Sequence, residues 1–83
     1  MLTLTLYSRS DCSLCDAMEA TLRVVQSEIP FQLTKIDIST NPALHDRFSL
    51  EIPLLYINGQ RAFMYDLTAD ELRQRLTAEL EKL

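Results

Sequence analysis

Residues 2–18 read Leu-Thr-Leu-Thr-Leu-Tyr-Ser-Arg-Ser-Asp-Cys-Ser-Leu-Cys-Asp-Ala-Met, and the fold turns on where the period of this stretch changes. Leu2, Leu4 and Leu6 alternate with Thr3, Thr5 and Tyr7, the two-residue repeat of a half-buried strand built from β-forming side chains. Ser8-Arg9-Ser10-Asp11 is turn and cap chemistry. Beyond it Leu14, Met18, Leu22 and Val25 recur at helical spacing beside Ala17 and Ala20. Residues 13–27 therefore read as an amphipathic helix, with Ser10 or Asp11 as its N-cap. Both cysteines of the chain, Cys12 and Cys15, fall at the junction of strand and helix.

Outward from this junction, Glu28-Ile29-Pro30 breaks the helical pattern and Phe31–Ile38 supplies a second strand, which predicts a parallel, right-handed crossover. Thr40-Asn41-Pro42 pairs a capping residue with proline at the first helical position, so a short helix is expected to run to about Leu50 and to stop before Pro53. Leu54-Leu55-Tyr56-Ile57 reads as a buried strand, Asn58-Gly59 as a hairpin turn and Arg61–Tyr65 as the partner strand. Thr68-Ala69-Asp70-Glu71 is a capping box ahead of a last helix whose stripe is Leu72, Leu76, Leu80 and Leu83. The predicted order is β-α-β-α-β-β-α, without repeats or linkers.

Eighty-three residues support one core, so one domain over residues 1–83 is expected. Hydrophobic residues at 47% with charges of both signs describe a globular domain rather than a disordered one. A net charge of −4, with no cluster of Lys or Arg, repels nucleic-acid phosphates and anionic membranes, and neither is an expected partner. The first residues lack a basic segment and a long apolar run, which predicts no leader, no membrane span and a cytoplasmic location. In a reducing cytosol two closely spaced cysteines point to redox chemistry or metal rather than to a structural staple.

At a helix start the first N–H groups are unpaired and partly positive, so a thiolate at Cys12 is stabilised and its pKa falls from about 8.5. Cys15, three residues on, shares that helical face and lies within disulfide reach, where it can resolve a mixed disulfide formed at Cys12. Asp11, competing for the same N–H groups, and Asp16 both oppose ionisation of Cys12, while Arg9 favours it. A moderately depressed pKa and a reducing couple nearer thioredoxin than a strong oxidant are therefore expected. Two other readings stay open. A Cys-X-X-Cys pair supplies two ligands to zinc or an iron–sulfur cluster, but four are usual, so metal would need a second chain or two glutathiones. His45, the sole histidine, falls on a polar stretch and reads as solvent-exposed, so no metal ligand is assigned to it. A non-catalytic domain that docks a partner protein is the third reading.

The run Tyr7-Ser8-Arg9-Ser10-Asp11-Cys12-Ser13-Leu14-Cys15 resembles the aromatic, Arg-Ser and Cys-Pro-Tyr-Cys run of glutaredoxins. Ile52-Pro53 with Leu54-Leu55-Tyr56-Ile57-Asn58-Gly59-Gln60 resembles their Val-Pro and strand-turn segment. The chain is thus similar, over nearly its whole length, to the glutaredoxin branch of the thioredoxin superfamily, and in particular to small bacterial glutaredoxin-like proteins. The resemblance implies an α/β, thioredoxin-like fold with a four-stranded mixed sheet flanked by three helices. It also implies a thiol–disulfide oxidoreductase with an exposed reactive cysteine. Pro53 would be a cis proline facing the disulfide, and the Ile52 backbone would pair with a bound peptide or glutathione. On local grounds alone the Pro53 bond is expected to be trans and the residue a helix stop.

The departures from the family pattern bear on the substrate. Leu14 replaces a tyrosine at the binding surface. The Gly-Gly loop and acidic residues that hold glutathione in the family become Ala62-Phe63-Met64-Tyr65-Asp66, one residue shorter and without glycine. Phe63 and Met64 would obstruct close approach of the ligand, and Asp66 alone keeps its place, while Arg9 matches a basic residue facing the glutathione site. The implied partners are protein disulfides or glutathione as co-substrate, with a cellular reductant, no bound cofactor and a monomeric chain.

Overall fold

A computed structural model describes residues 1–82. The order is β1 (Thr3–Ser8), α1 (Ser13–Gln26), β2 (Gln32–Asp37), α2 (Pro42–Phe48), β3 (Leu54–Ile57), β4 (Gln60–Met64) and α3 (Ala69–Glu81), with a 3-10 turn at Ile38–Thr40. One mixed sheet runs β2-β1-β3-β4, with β1 parallel to β2 and antiparallel to β3, and β3 antiparallel to β4. The expected thioredoxin-like arrangement is present.

Alternation along the strands sorts the core into two layers. Leu2, Leu4 and Leu6 join Leu55 and Ile57 on one face, covered by Met18, Leu22 and Val25 of α1 and Leu72 and Leu76 of α3. Tyr7, Leu54 and Tyr56 face the other way onto Ile38 and Phe48. The ring of Tyr7 lies 4.7 Å from that of Phe48 and 5.5 Å, edge-on, from that of Tyr56. Burying each such leucine contributes about 1.5–3 kcal/mol, and this area holds the sheet between its helices. The hairpin between β3 and β4 turns at Asn58 (φ 51°) and Gly59 (φ 80°), both left-handed, as an Asn-Gly pair permits.

Four sequence expectations need correcting. The second strand ends at Asp37 rather than Ile38, because the Asp37 carboxylate accepts the Ser39 N–H at 2.9 Å and starts the 3-10 turn. Helix α2 ends at Phe48, its buried apolar anchor, short of Leu50. The chain then turns through a Glu51 N–H to Phe48 carbonyl bond of 2.8 Å, so Pro53 opens β3 and does not stop the helix. In α1 Leu14 is 54% exposed, and Cys15 takes the core position instead. In α3 the third inward position is Glu79, 5% exposed, while Leu80 faces out at 44% and Leu83 lies outside the described residues. The helical rotation over seven residues from Leu72 favours 79 over 80 on the inner face.

Candidate active site

Cys12, in extended conformation, is the N-cap of α1, and its Sγ accepts the N–H of Cys15 at 3.2 Å. Sulfur thus occupies the place a capping oxygen usually takes, against the partly positive end of the helix. The expected cap, Asp11, lies one residue outside the helix in the left-handed region (φ 59°), exposed, and its carboxylate accepts no hydrogen bond among the described residues. Its predicted competition for the helix N–H groups is therefore absent, because the turn at Ser10-Asp11 delays the helix start by one residue. Asp16 in the first turn contributes to raising the Lys35 pKa, behind the larger effect of the Glu19 hydrogen bond, so that lysine offsets part of its charge.

The two sulfurs are joined as a Cys12–Cys15 disulfide, with Cα atoms 5.2 Å apart. Cys15 is 2% exposed and packs with Ile38, Phe48, Ile52 and Leu54, whereas Cys12 is half-buried at the surface. Solvent therefore reaches Cys12 first.

The Ile52–Pro53 peptide is cis, as the resemblance implied and local rules did not. Pro53 is buried beside β1, and no backbone hydrogen bond among the described residues engages Ile52. The Pro53 carbonyl accepts the Tyr65 N–H at 2.8 Å, and the Tyr65 hydroxyl donates to the Leu50 carbonyl at 2.8 Å. Tyr65 therefore straps the end of β4 to both ends of the proline loop. Its φ of 74° is unusual for a bulky residue. Sequence reasoning passed over Tyr65, which looked like the end of a strand; the missing glycine in Ala62–Asp66 was the available signal.

Of the predicted residues, the structure groups Cys12, Cys15 and Ile52 in one cluster and Leu14 and Asp66 in one groove. Leu14, Tyr65 and Asp66 line one groove of about 70 Å³ between α1 and the loop after β4, with Ala17 and Thr21 along its helical wall. Met64 is exposed, but Phe63 turns inward onto the core, so of the two expected obstructions only Met64 faces solvent. Arg9 is exposed and its side chain makes no hydrogen bond or ion pair among the described residues, so nothing draws it to Cys12.

A further group near the site was not anticipated. Ser8, the last residue of β1, is fully buried, and its hydroxyl has no hydrogen-bond partner among the described residues. Its position in the Leu2-Leu4-Leu6 alternation puts it on the α1 side of the sheet. His45 is exposed, and no group of three His, Cys, Asp or Glu side chains among the described residues converges as a metal site. No helix among them is long and apolar enough to cross a membrane.

Comparisons with known proteins agree with this geometry. A sequence family described as the glutaredoxin-like domain matches residues 3–77. A solved structure from X. campestris, target protein XcR50, is 32% identical, with 90% of this chain and 96% of that one covered and a TM-score of 0.72. Protein Ne2328 from Nitrosomonas europaea is 30% identical over 89% of each chain, with a TM-score of 0.75. Thioredoxin 1 from Thermosipho africanus shares the fold at 17% identity, covering 95% of this chain and 94% of its own, with a TM-score of 0.70.

Proposed function

Because the chain belongs to the glutaredoxin-like domain family, we propose that it is a dithiol oxidoreductase that reduces protein or glutathione disulfides in the cytoplasm. The observation that carries this reading is the placement of Cys12 Sγ at the N-cap of α1, bonded to a buried Cys15 that packs with Ile52, the residue before cis Pro53. In the reduced protein the Cys12 thiolate attacks one sulfur of a substrate disulfide. A Cys12–substrate disulfide forms, the substrate S–S bond breaks, and the departing thiolate takes a proton from water. Cys15, deprotonated, then attacks Cys12 Sγ, and the second substrate thiolate leaves. Two electrons have passed to the substrate, and the protein carries the Cys12–Cys15 disulfide. A cellular dithiol, or two molecules of a monothiol, returns it to the reduced form. The site lies within one chain, which suits a monomer, and the exchange requires no bound cofactor.

In the reduced protein the helix N–H groups left open by Asp11 favour the thiolate, and we expect a Cys12 pKa below that of a free thiol, with a couple nearer thioredoxin than a strong oxidant. The decisive experiment is alkylation-trapped mass spectrometry across glutathione buffers of graded potential. A reversible Cys12–Cys15 disulfide with a midpoint in the cytosolic range is the expected result, together with complete loss of exchange in Cys12→Ser. In Cys15→Ser the mixed disulfide should accumulate on Cys12. If no disulfide forms at any potential, the oxidoreductase reading fails and the docking-module reading replaces it.

A further inference from the structure

The groove that Leu14 shares with the loop after β4 differs chemically from a site for an anionic tripeptide. Leu14, lying between the two cysteines in sequence, is 54% exposed at one side of it, and Tyr65 is 46% exposed at the other. The Tyr65 hydroxyl donates to the carbonyl of Leu50, a residue whose own side chain is exposed. No Lys, Arg or His lines the groove, and its one charged wall residue is Asp66. The adjacent start of α3 is closed to anions. Thr68 Oγ1 accepts the Glu71 N–H at 3.1 Å, the Glu71 carboxylate accepts the Thr68 N–H at 3.0 Å, and Asp70 adds a second negative charge in the first turn. With the molecule at −4 overall, a ligand carrying two carboxylates meets net repulsion and finds no counter-charge in the groove lining, which does not include Arg9.

On the reading that this site performs disulfide exchange, we infer that its preferred substrate is a protein disulfide. One cysteine of that disulfide is flanked by an aliphatic side chain, which enters the groove between Leu14 and Tyr65, and by a Lys or Arg, which pairs with Asp66. Apolar walls favour the aliphatic group, and the lone carboxylate at the rim selects the cation. Glutathione, whose cysteine is flanked by no aliphatic side chain and whose single ammonium is accompanied by two carboxylates, is a poorer substrate. Tyr65 therefore stands where a less crowded loop would leave room for a small anionic ligand, and it narrows the site to a side chain on an extended segment.

The test compares symmetric disulfide dimers of Lys-Leu-Cys-amide and Glu-Gly-Cys-amide, oxidised glutathione and dithiodipyridine. Each rate with the reduced protein is divided by the rate of the same disulfide with free dithiothreitol. The Lys-Leu dimer is expected to exceed the Glu-Gly dimer and oxidised glutathione by about tenfold, with the advantage shrinking as salt is added. Ala17→Leu, an exposed helical position on the groove wall, should bring the ratio close to one by filling the groove. Asp66→Asn should remove its salt dependence. Equal rates for the two dimers, or an unchanged ratio in Ala17→Leu, overturn the inference while leaving the exchange reading intact. Failure to react even with dithiodipyridine overturns the exchange reading and the inference with it. An independent readout uses the S-methylated Lys-Leu-Cys peptide, which cannot exchange. Amide shifts at Ala17, Thr21 and Asp66 on its addition support docking, and their absence at millimolar peptide overturns it.

Discussion

At Cys12 a sulfur holds the place that an oxygen holds at most helix starts, and one bond from Cys15 N–H, 3.2 Å long, joins the chemistry of the two thiols to the field of α1. Three residues behind the strand-helix junction show why this was hard to read locally. Asp11 has the better capping side chain but occupies a left-handed turn; Ser8 looks like loop chemistry yet is fully buried; Tyr65 adopts a φ that suits glycine. Burying a hydroxyl without a partner costs about 1–3 kcal/mol, whereas an alanine of nearly the same shape avoids the penalty. Ser8→Ala should therefore stabilise the oxidised protein by about 1 kcal/mol, measured as a higher urea midpoint with an unchanged slope. A loss of stability would mean that the hydroxyl has a partner.

Helix α3 is held at both ends by polar contacts its sequence only half reveals. Its capping box was legible, since Thr68 and Glu71 fall three apart before an apolar stripe, and both reciprocal bonds are present. Thr68→Ala should lower stability by about 1 kcal/mol in denaturant unfolding, with little effect if the box contributes nothing. The far end was not legible. Glu79 is buried, accepting from Asn58 Nδ2 at 3.3 Å and from Lys82 Nζ at 3.0 Å, and Asn58 in turn bonds Thr3, so one carboxylate clasps α3 to the β3–β4 turn and the start of β1. The Lys82 hydrogen bond first, with Asn58 and Arg75 behind it, outweighs desolvation and holds the Glu79 pKa below the ordinary carboxylate value. A depressed folded-state pKa stabilises the protein above the unfolded value, and that contribution fades as pH falls through the folded value. Thermal unfolding should therefore show Glu79→Gln less stable than wild type near pH 7, with the gap closing below about pH 4.5. A gap independent of pH would remove the carboxylate's charge from the account.

Across the whole molecule the two core layers have unequal tasks. The larger, on the α1 and α3 side, carries stability; the smaller, around Tyr7, Phe48 and Leu54, also encloses Cys15 and so couples packing to the disulfide. Leu22, fully buried in the larger layer, lies well along α1 from the cysteines. Leu22→Ala should destabilise the fold by about 3 kcal/mol through lost transfer energy and a residual cavity, with the exchange rate of the folded fraction unchanged. A loss of exchange without loss of stability would show instead that the position of α1 itself governs the thiols.

The sequence by itself determined the order of elements, the Asn-Gly hairpin, the capping box and the thiol pair at a helix start. Each depends on side chains near one another along the chain, where period, turn chemistry and spacing act directly. Its resemblance to a known family also carried the cis Pro53 that local preference argues against. Only the tertiary structure decided which residue caps α1, that Glu79 rather than Leu80 faces inward, and that Tyr65 joins Leu14 and Asp66 in one groove. Those outcomes depend on contacts between segments distant in sequence, where packing against the sheet overrides local propensity.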